Sequence, residues 1–168
     1  MHPEISDFVN RIESSNTPWL PYGLVEGCSF RVLKTHEASN TVVLNFLMPP
    51  NCTTQLHDHF CTAMAYTLEG EWMYGNQVFK QGDLAFEVPG EIHQPVTGEA
   101  GAQLLTILFG GPGENRFLRN FEEDGSSYTI GMPFLKAVEG ITPAELEQID
   151  LEALLQDYTP PDETAFPQ

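Results

Sequence analysis

Two histidines, His57 and His59, are separated by a single residue, and a third, His93, follows 34 residues after the pair. On a β-strand, residues two positions apart point to the same face, so both imidazoles of the pair can reach one ion. His93 comes after an apolar run and a Pro89-Gly90 turn, and an antiparallel meander would bring it beside the pair. Neutral imidazole is a common ligand for zinc, iron, nickel and copper. The spacing therefore predicts a metal site at these three histidines, and the alternative is three separate surface residues.

The chain around the histidines has the pattern of short β-strands. Apolar or alternating runs rich in Val, Phe, Tyr, Thr and Leu occupy residues 30–33, 41–48, 63–68, 72–79, 84–88 and 103–109. Turn-forming residues separate these runs at 38–40, 49–51, 69–70, 81–82 and 89–90. Several short strands at this spacing favour an all-β antiparallel sandwich or barrel over alternating strands and helices.

The segments on either side of the strand-rich region have a different pattern. Apolar residues at helical spacing over residues 5–12 predict a helix in an N-terminal arm that spans residues 1–26. Thr142-Pro143, with Glu145 completing a capping box, predicts a helix near 143–157 that is followed by a flexible tail. The predicted organisation is therefore an arm (1–26), a barrel (27–112) and a C-terminal extension (113–168).

The net charge and the cysteines bear on the binding partners and the cellular compartment that we expect for the protein. The chain has 7 Lys plus Arg against 24 Asp plus Glu, a formal net charge of −17. Because phosphate binding requires clustered Lys and Arg, we expect no nucleic acid and no membrane as partner. No stretch approaches the roughly 20 apolar residues of a transmembrane helix, and no secretory signal is visible. Three cysteines without framework spacing fit free thiols, so we expect a cytoplasmic protein.

Two segments of the predicted barrel resemble the motifs of the cupin superfamily. The first comprises Pro50-Asn51, His57-Asp58-His59 and the run 66–71, and the second comprises Gly82-Asp83 and F-E-V-P-G-E-I-H over residues 86–93. The pattern F-E-x-P-G-E-x-H is most similar to the 2,4'-dihydroxyacetophenone dioxygenase and acetylacetone dioxygenase branch. This resemblance implies a double-stranded β-helix, or jelly-roll barrel, that forms a homodimer or homotetramer. It also implies a divalent metal, Fe(II) in the first place, with zinc, nickel or manganese as alternatives.

The chain departs from the usual cupin pattern at one metal-binding position. Many cupins carry a ligating glutamate seven residues before the glycine that ends the first motif, and that position, counted from Gly70, is Ala63 here. The missing carboxylate points to a site of three histidines, which the resemblance to the diketone-cleaving branch also implies. Asn51 replaces a common glycine, and because Asn tolerates left-handed backbone we expect that turn to survive. Val88 replaces a common proline and Pro89 follows one place later, so we expect an altered turn there.

Other residues near the motifs are candidates for supporting roles. The resemblance implies that Glu87 sits beside the metal without binding it, and the alternative is a solvated strand residue. Gln55 shares the strand parity of His57 and could face the ion. Tyr66 is a candidate catalytic residue that would hydrogen-bond a substrate oxygen, with a half-buried core tyrosine as the alternative. The aromatic residues predicted to lie in the core are Phe46, Phe60, Phe86 and Trp72.

The charge of the predicted site bears on its substrate. Three neutral histidines leave a divalent ion its full +2 charge, which favours an anionic chelator such as an enolate with two oxygens. Residues 41–100 contain one Lys and no Arg, and Arg31 is the nearest candidate for binding a carboxylate or phosphate. We therefore expect a small, largely apolar, neutral substrate.

Three functions remain open at this point. The leading hypothesis is an Fe(II)-dependent dioxygenase that uses dioxygen to cleave a carbon–carbon bond of a small β-dicarbonyl or hydroxyketone. The second is a metal-binding sensor or ligand-binding module without turnover. The third is a metal-dependent isomerase or hydrolase that uses zinc or manganese.

Overall fold

The computed structural model describes residues 11–22 and 26–156, and ten strands in this part form two antiparallel sheets. The strands are β1 Leu20–Pro21, β2 Ser29–His36, β3 Thr41–Met48, β4 His57–His59, β5 Thr62–Tyr74, β6 Gln77–Lys80, β7 Leu84–Glu87, β8 Val96–Phe109, β9 Arg116–Phe121 and β10 Ser127–Gly131. The larger sheet has the order β1-β2-β3-β8-β5-β6, with β7 also paired to β5, and the smaller sheet has the order β10-β9-β4. This arrangement confirms the predicted all-β jelly-roll fold.

Alternation along the strands determines which side chains fill the barrel. In β5, Ala63, Ala65 and Thr67 are buried, whereas Tyr66 between them is exposed. One buried apolar cluster joins residues of both sheets to the helix α1 (Met132–Ala137), and a second lies around Trp72. Because both sheets turn an apolar face inward, their burial stabilises the barrel and leaves an interior in which a site can form.

The C-terminal part of the chain contributes more to the barrel than the sequence pattern predicts. Strands β9 and β10 lie beyond residue 113, in the segment predicted as an extension with one helix, and β9 pairs directly with β4. The run that forms β9, R-F-L-R-N-F, lacks a clear apolar alternation, so its strand character was not predicted. The proposed domain boundaries themselves stay a prediction.

The predicted helix near 143–157 is in fact two short helices, α2 Pro143–Leu146 and α3 Leu151–Gln156. The expected capping box is present, because Glu145 N donates to Thr142 Oγ1 at 3.3 Å and Thr142 N donates to Glu145 Oε2 at 2.8 Å. Asp150 Oδ1 accepts from Ala153 N at 3.0 Å and so starts a new helix. Within the described ranges, no helix is long and apolar enough to cross a membrane. The predicted flexible tail and most of the N-terminal helix lie outside the described residues.

The three cysteines are buried free thiols. Cys28 Sγ and Cys52 Sγ lie 3.3 Å apart, and Cys61 Sγ lies 3.7 Å from the Phe117 carbonyl oxygen. Burial is the main cause that raises the pKa of Cys28 and of Cys61 to about 12. Cys28 and Cys61 therefore stay protonated, and all three cysteines pack as small core groups.

A turn predicted at Glu69-Gly70 is instead an irregularity inside the long strand β5. The β5–β8 register shifts on both sides of Gly70, and the hairpin to β6 occurs at residues 75–76. Gly70 has a φ of +77°, and a Cβ at this position would lie 2.0 Å from the Gly101 carbonyl oxygen. Glycine is required here because two backbone segments approach closely at a bend, not because the chain reverses.

This close approach predicts that Gly70→Ala destabilises the protein by more than about 2 kcal/mol, since left-handed backbone strain adds to a clash with main-chain atoms. Gly75→Ala is the matched control, because Gly75 also has a positive φ of 56° but a Cβ there meets nothing within 4 Å. We expect the control to cost about 1 kcal/mol. The free energy of unfolding in urea measures both, and equal costs would contradict the proposed role of the contact.

Candidate metal centre

Strand β4 and its partner β9 position the first two histidines. The register pairs His57 with Asn120, Asp58 with Arg119 and His59 with Leu118. Side chains alternate across a strand, so His57 and His59 project into the barrel, and both line its cavity. Asp58 is 2% exposed and forms two contacts with the Arg119 guanidinium, Nη2–Oδ2 at 2.6 Å and Nε–Oδ1 at 3.2 Å. The ion pair fixes β4 against β9 and thereby orients the histidine pair.

His93 reaches the pair through the loop that contains Pro89-Gly90. His57 N donates to His93 O at 2.9 Å, and His93 N donates to His57 O at 2.8 Å, so the two residues form an isolated antiparallel bridge. Gly90 N also donates to His59 O at 2.8 Å. The potential ligand atoms of the three histidines all lie within 4.8 Å of one another. The structure thus brings together the three residues that the spacing selected.

Backbone carbonyls orient two of the three imidazoles. His57 Nδ1 donates to Gln55 O, and His93 Nδ1 donates to Glu91 O, each at 2.8 Å. These bonds fix the tautomer and leave both Nε2 atoms with a free lone pair. Among the described residues, His93 Nε2 and both ring nitrogens of His59 are buried without a hydrogen-bond partner. Buried polar atoms are normally paired, and a divalent cation would satisfy His93 Nε2 and one ring nitrogen of His59, so the donor set fits a metal ion.

The histidines are held in the neutral form that a metal ion requires. Burial, followed by the proximity of His93, lowers the pKa of His57 to about 4. Burial also lowers the pKa of His59 well below its ordinary value and lowers the pKa of His93. At neutral pH the imidazoles therefore offer lone pairs and not protons.

These pKa values predict that the metal-free protein loses stability in mild acid. The unfolded state takes up a proton on His57 near pH 6.5, whereas the folded state does so only near pH 4, so unfolding gains protons as the pH falls through this window. The loss for this residue reaches about 3 kcal/mol below pH 4. Urea titrations of chelator-treated protein from pH 7 to pH 4 measure it, with His57→Asn as the variant whose profile should be flatter. An identical pH dependence in the two proteins would rule this explanation out.

Glu87 places a carboxylate beside the histidine cluster. Glu87 Oε2 lies 3.4 Å from His59 Nε2, and Glu87 Oε1 lies 3.5 Å from His93 Nε2. Its side chain is 14% exposed. Burial, with a smaller effect of Glu91, raises the pKa of Glu87 to about 7. A carboxyl group with this pKa can gain or release a proton near neutral pH at the place where a ligand would meet the cation.

A cavity of about 120 Å³ lies inside the barrel, and His57, His59 and Glu87 form part of its wall. The rest of the wall is mainly apolar and includes Phe30, Leu44, Phe46, Met48, Trp72 and Leu118. Its size is comparable to an apolar cavity of roughly 150 Å³ that accommodates benzene. None of the described residues that line it is Lys or Arg. The cavity therefore suits a small, largely apolar ligand without a permanent negative charge.

The nearest cation of the large sheet faces away from this cavity. Arg31 Nε donates to Asn45 Oδ1 at 3.0 Å, Arg31 Nη1 donates to Thr17 O at 3.2 Å, and the guanidinium lies 4.3 Å from the centre of the Trp19 ring. The Arg31 guanidinium is thus engaged by Asn45, Thr17 and Trp19. Arg31 is therefore not positioned to bind an anionic group in the cavity.

The structure corrects two predictions about aromatic residues and refines one about an amide. Tyr66 is 42% exposed on the outward face of β5 and is absent from the described cavity wall, so it is not placed to contact a substrate. Phe86, predicted as core, is 65% exposed on β7, whereas Trp72 is buried as expected. Gln55 lines the cavity, but its Nε2 donates to the Phe121 carbonyl oxygen, so the side chain supports the loop before β4.

The sequence pattern missed the residues that the C-terminal strands bring to the site. Asn120 and Leu118 line the cavity from β9, and Ile130 lines it from β10. Tyr22, from the segment preceding the barrel, also lines it and donates to Asn120 Oδ1 at 3.4 Å. No local signal could have identified these contacts, because they join residues about 60 to 100 positions apart.

The Asp58–Arg119 ion pair gives a prediction about the support of the site. Asp58→Asn leaves the Arg119 guanidinium without its counter-charge and should cost about 3 kcal/mol of stability. It should also weaken metal binding about 10-fold through the loss of an outer partner of the ligands. Glu114→Gln is the control, because Glu114 pairs with Arg116 at 2.9 Å with both side chains 29% exposed, and we expect about 1 kcal/mol there. Unfolding and zinc-binding titrations measure both quantities. Equal effects of the two substitutions would contradict the role given to Asp58.

Comparison with known proteins relates this geometry to a family. A family model described as the ChrR cupin-like domain matches residues 9–110. Sequence comparison with proteins of curated function finds no match.

Several solved structures share the fold. The acetylacetone dioxygenase of Acinetobacter johnsonii has a TM-score of 0.63 at 14% identity, over 77% of this chain and 89% of that chain. A protein of unknown function with a cupin-like fold from Ralstonia eutropha has a TM-score of 0.58 at 26% identity, over 72% and 74%. The polyketide cyclase RemF of Streptomyces resistomycificus has a TM-score of 0.55 at 20% identity, over 88% and 98%. These similarities show that the chain has the same barrel fold as the three proteins.

Proposed function

Because this chain belongs to the family of ChrR cupin-like domains, we propose that its barrel is a metal-dependent dioxygenase for a small β-dicarbonyl or hydroxyketone. The observation that carries the proposal is the cluster of three neutral histidines, two of which, His57 and His59, line a small apolar cavity. His57, His59 and His93 would hold the ion, with Fe(II) as the first choice. The acetylacetone dioxygenase neighbour supports this choice of substrate class by its shared fold.

A bound divalent ion would supply Lewis acidity, a template for two substrate oxygens, and, in the case of iron, access to dioxygen. Three neutral ligands leave the full +2 charge to attract a chelating enolate. Cavity walls without Lys or Arg give a carboxylate or phosphate substrate no second charge partner. Together these features favour a substrate that enters neutral and becomes anionic on losing one proton.

The side chains of the site fit the handling of that proton. Glu87 lies beside His59 and His93, with its oxygens 3.4 and 3.5 Å from their Nε2 atoms, so its carboxylate is placed to accept a proton there. A β-dicarbonyl loses a proton from the carbon between its carbonyls when it becomes an enolate, and a Glu87 carboxylate oxygen is the acceptor in this proposal. The apolar wall excludes water, which strengthens the electrostatic interactions inside.

A second candidate is a metal-binding module without turnover. The observation that favours it is the cluster of three histidines, which can hold a cation whether or not a reaction follows. Such a module would bind a cation and a small ligand with the same residues and would consume no oxygen.

Oxygen uptake distinguishes these candidates. The full chain, loaded with iron under anaerobic conditions, is mixed with acetylacetone or 2,4'-dihydroxyacetophenone in an oxygen electrode. We expect substrate-dependent uptake of one O₂ per substrate, with two fragments that together contain both oxygen atoms. If the iron-saturated protein consumes no oxygen with either ketone, the dioxygenase proposal is overturned and the metal-binding module without turnover is favoured. Oxygen-independent conversion by zinc- or manganese-loaded protein would overturn it in favour of an isomerase or hydrolase.

A further inference from the structure

One row of side chains crosses the small sheet and ends at the histidine cluster. The β10–β9 register pairs Tyr128 with Asn120, the β9–β4 register pairs Asn120 with His57, and a backbone bridge pairs His57 with His93. Directly paired residues on neighbouring strands share a face of the sheet. Asn120 is therefore the immediate neighbour of His57 in the cavity wall, which both residues line.

The Asn120 amide is buried with one end unpaired. The side chain is 1% exposed, and its Oδ1 accepts from the Tyr22 hydroxyl at 3.4 Å. With the amide in this orientation its oxygen lies on the Tyr22 side, and Nδ2 has no hydrogen-bond partner among the described residues. A buried N–H group without a partner is unfavourable, and such groups in native proteins call for an explanation.

Three other polar side chains of the cavity wall, Thr54, Gln55 and Tyr22, already donate to protein groups. Thr54 Oγ1 donates to Pro95 O at 2.9 Å, and Gln55 Nε2 donates to the Phe121 carbonyl oxygen. The Tyr22 hydroxyl donates to Asn120 itself. Asn120 Nδ2 differs from these groups because its hydrogens have no acceptor, although it lies next to a histidine of the cluster.

We propose that Asn120 is a specificity-determining residue whose Nδ2 donates a hydrogen bond to an uncharged or enolic oxygen of the ligand in the cavity. The ligand class is a small ketone or diketone, because an amide N–H recognises an oxygen acceptor while the apolar wall accepts hydrocarbon. Tyr22 orients the amide and is a positioning residue. The inference rests on the proposed function for the location of the ligand, but it concerns binding and does not depend on turnover.

A binding experiment without oxygen chemistry tests the inference. The full chain is loaded with zinc, which has no redox activity, and is titrated with acetylacetone and separately with benzene, with tryptophan fluorescence as the readout since Trp72 lines the cavity. We expect Asn120→Leu to weaken acetylacetone binding about 10-fold, the value of one neutral hydrogen bond. Benzene affinity should stay within about 2-fold, because no hydrogen bond to benzene is lost. Tyr22→Phe should weaken acetylacetone binding by a smaller factor.

A second readout observes ligand binding to the wild-type protein. The side-chain amide signals of Asn120 in ¹⁵N-labelled wild-type protein, assigned by their absence in Asn120→Leu, should move when acetylacetone saturates the cavity. They should move far less with cyclopentane, which offers neither a hydrogen-bond acceptor nor a ring current. Unmoved amide signals at saturation, unchanged acetylacetone affinity in Asn120→Leu, or equal weakening of both probes would overturn the inference. If oxygen uptake fails while these shifts occur, the ligand assignment holds and only the dioxygenase proposal falls. If oxygen uptake occurs but neither Asn120→Leu nor the Asn120 amide signals show an effect, the dioxygenase proposal holds and the Asn120 inference falls.

Discussion

His93→Ala lowers the affinity for a divalent cation by more than about 100-fold and abolishes turnover, because even the loss of an outer partner of a metal ligand costs about 10- to 100-fold. The remaining pair, His57 and His59, lies on one short strand and cannot surround an ion by itself. The fold should persist, since the substitution removes one side-chain hydrogen bond, from His93 Nδ1 to Glu91 O, and keeps the backbone bridge to His57.

The metal content of the purified variant, a zinc titration and a thermal unfolding curve together measure this prediction. His36→Ala is the matched control, because His36 is exposed and its Nδ1 contacts Ser39 Oγ at 2.6 Å, on another part of the barrel. The control should bind metal as the wild type does. A His93→Ala protein that stays folded and retains full metal content would show that the cluster is not the metal site.

Glu87→Gln should lower turnover by about 10²- to 10⁴-fold, the usual contribution of a general base, while metal content stays near that of the wild type. Glutamine keeps the shape of the side chain and removes the group that accepts the proton. Glu87 is well placed for this role, with its oxygens 3.4 and 3.5 Å from two imidazole nitrogens.

Steady-state oxygen uptake and metal analysis of the same samples separate proton transfer from metal binding. Glu91→Gln is the control, since Glu91 is exposed and its Oε1 accepts from the Tyr74 hydroxyl at 2.9 Å. We expect that substitution to change turnover less than about 10-fold. Loss of metal from Glu87→Gln would instead assign Glu87 as a fourth ligand, and unchanged turnover would remove it from the catalytic machinery.

Local sequence patterns were sufficient for most strands of the large sheet and for the three histidines. The run Thr41–Met48 became strand β3 with those bounds, and the i, i+2 spacing of His57 and His59 put both on one face of β4. His93 could be joined to them because a recognisable turn precedes it. Each of these features depends on residues close together in the chain.

Two features were harder to predict: which face of a strand points into the barrel, and which distant strands pair. Tyr66 lies in a predicted strand, but both faces of that strand carry apolar residues, so the pattern does not show which face is inside. The Glu69-Gly70 pair is typical of a turn, but Gly70 instead permits a close backbone contact with Gly101, which lies on another strand. Asn120 belongs to the site only through the β4–β9 register, and pairing over about 60 residues leaves no local signal.

The central claim is that His57, His59 and His93 hold one divalent cation through their imidazole nitrogens. X-ray absorption at the zinc edge of the zinc-loaded full chain tests it most directly. The predicted spectrum has imidazole scattering from three nitrogens at about 2.0–2.1 Å. A first shell with sulfur at about 2.3 Å, or with oxygen alone and no imidazole scattering, would contradict the claim.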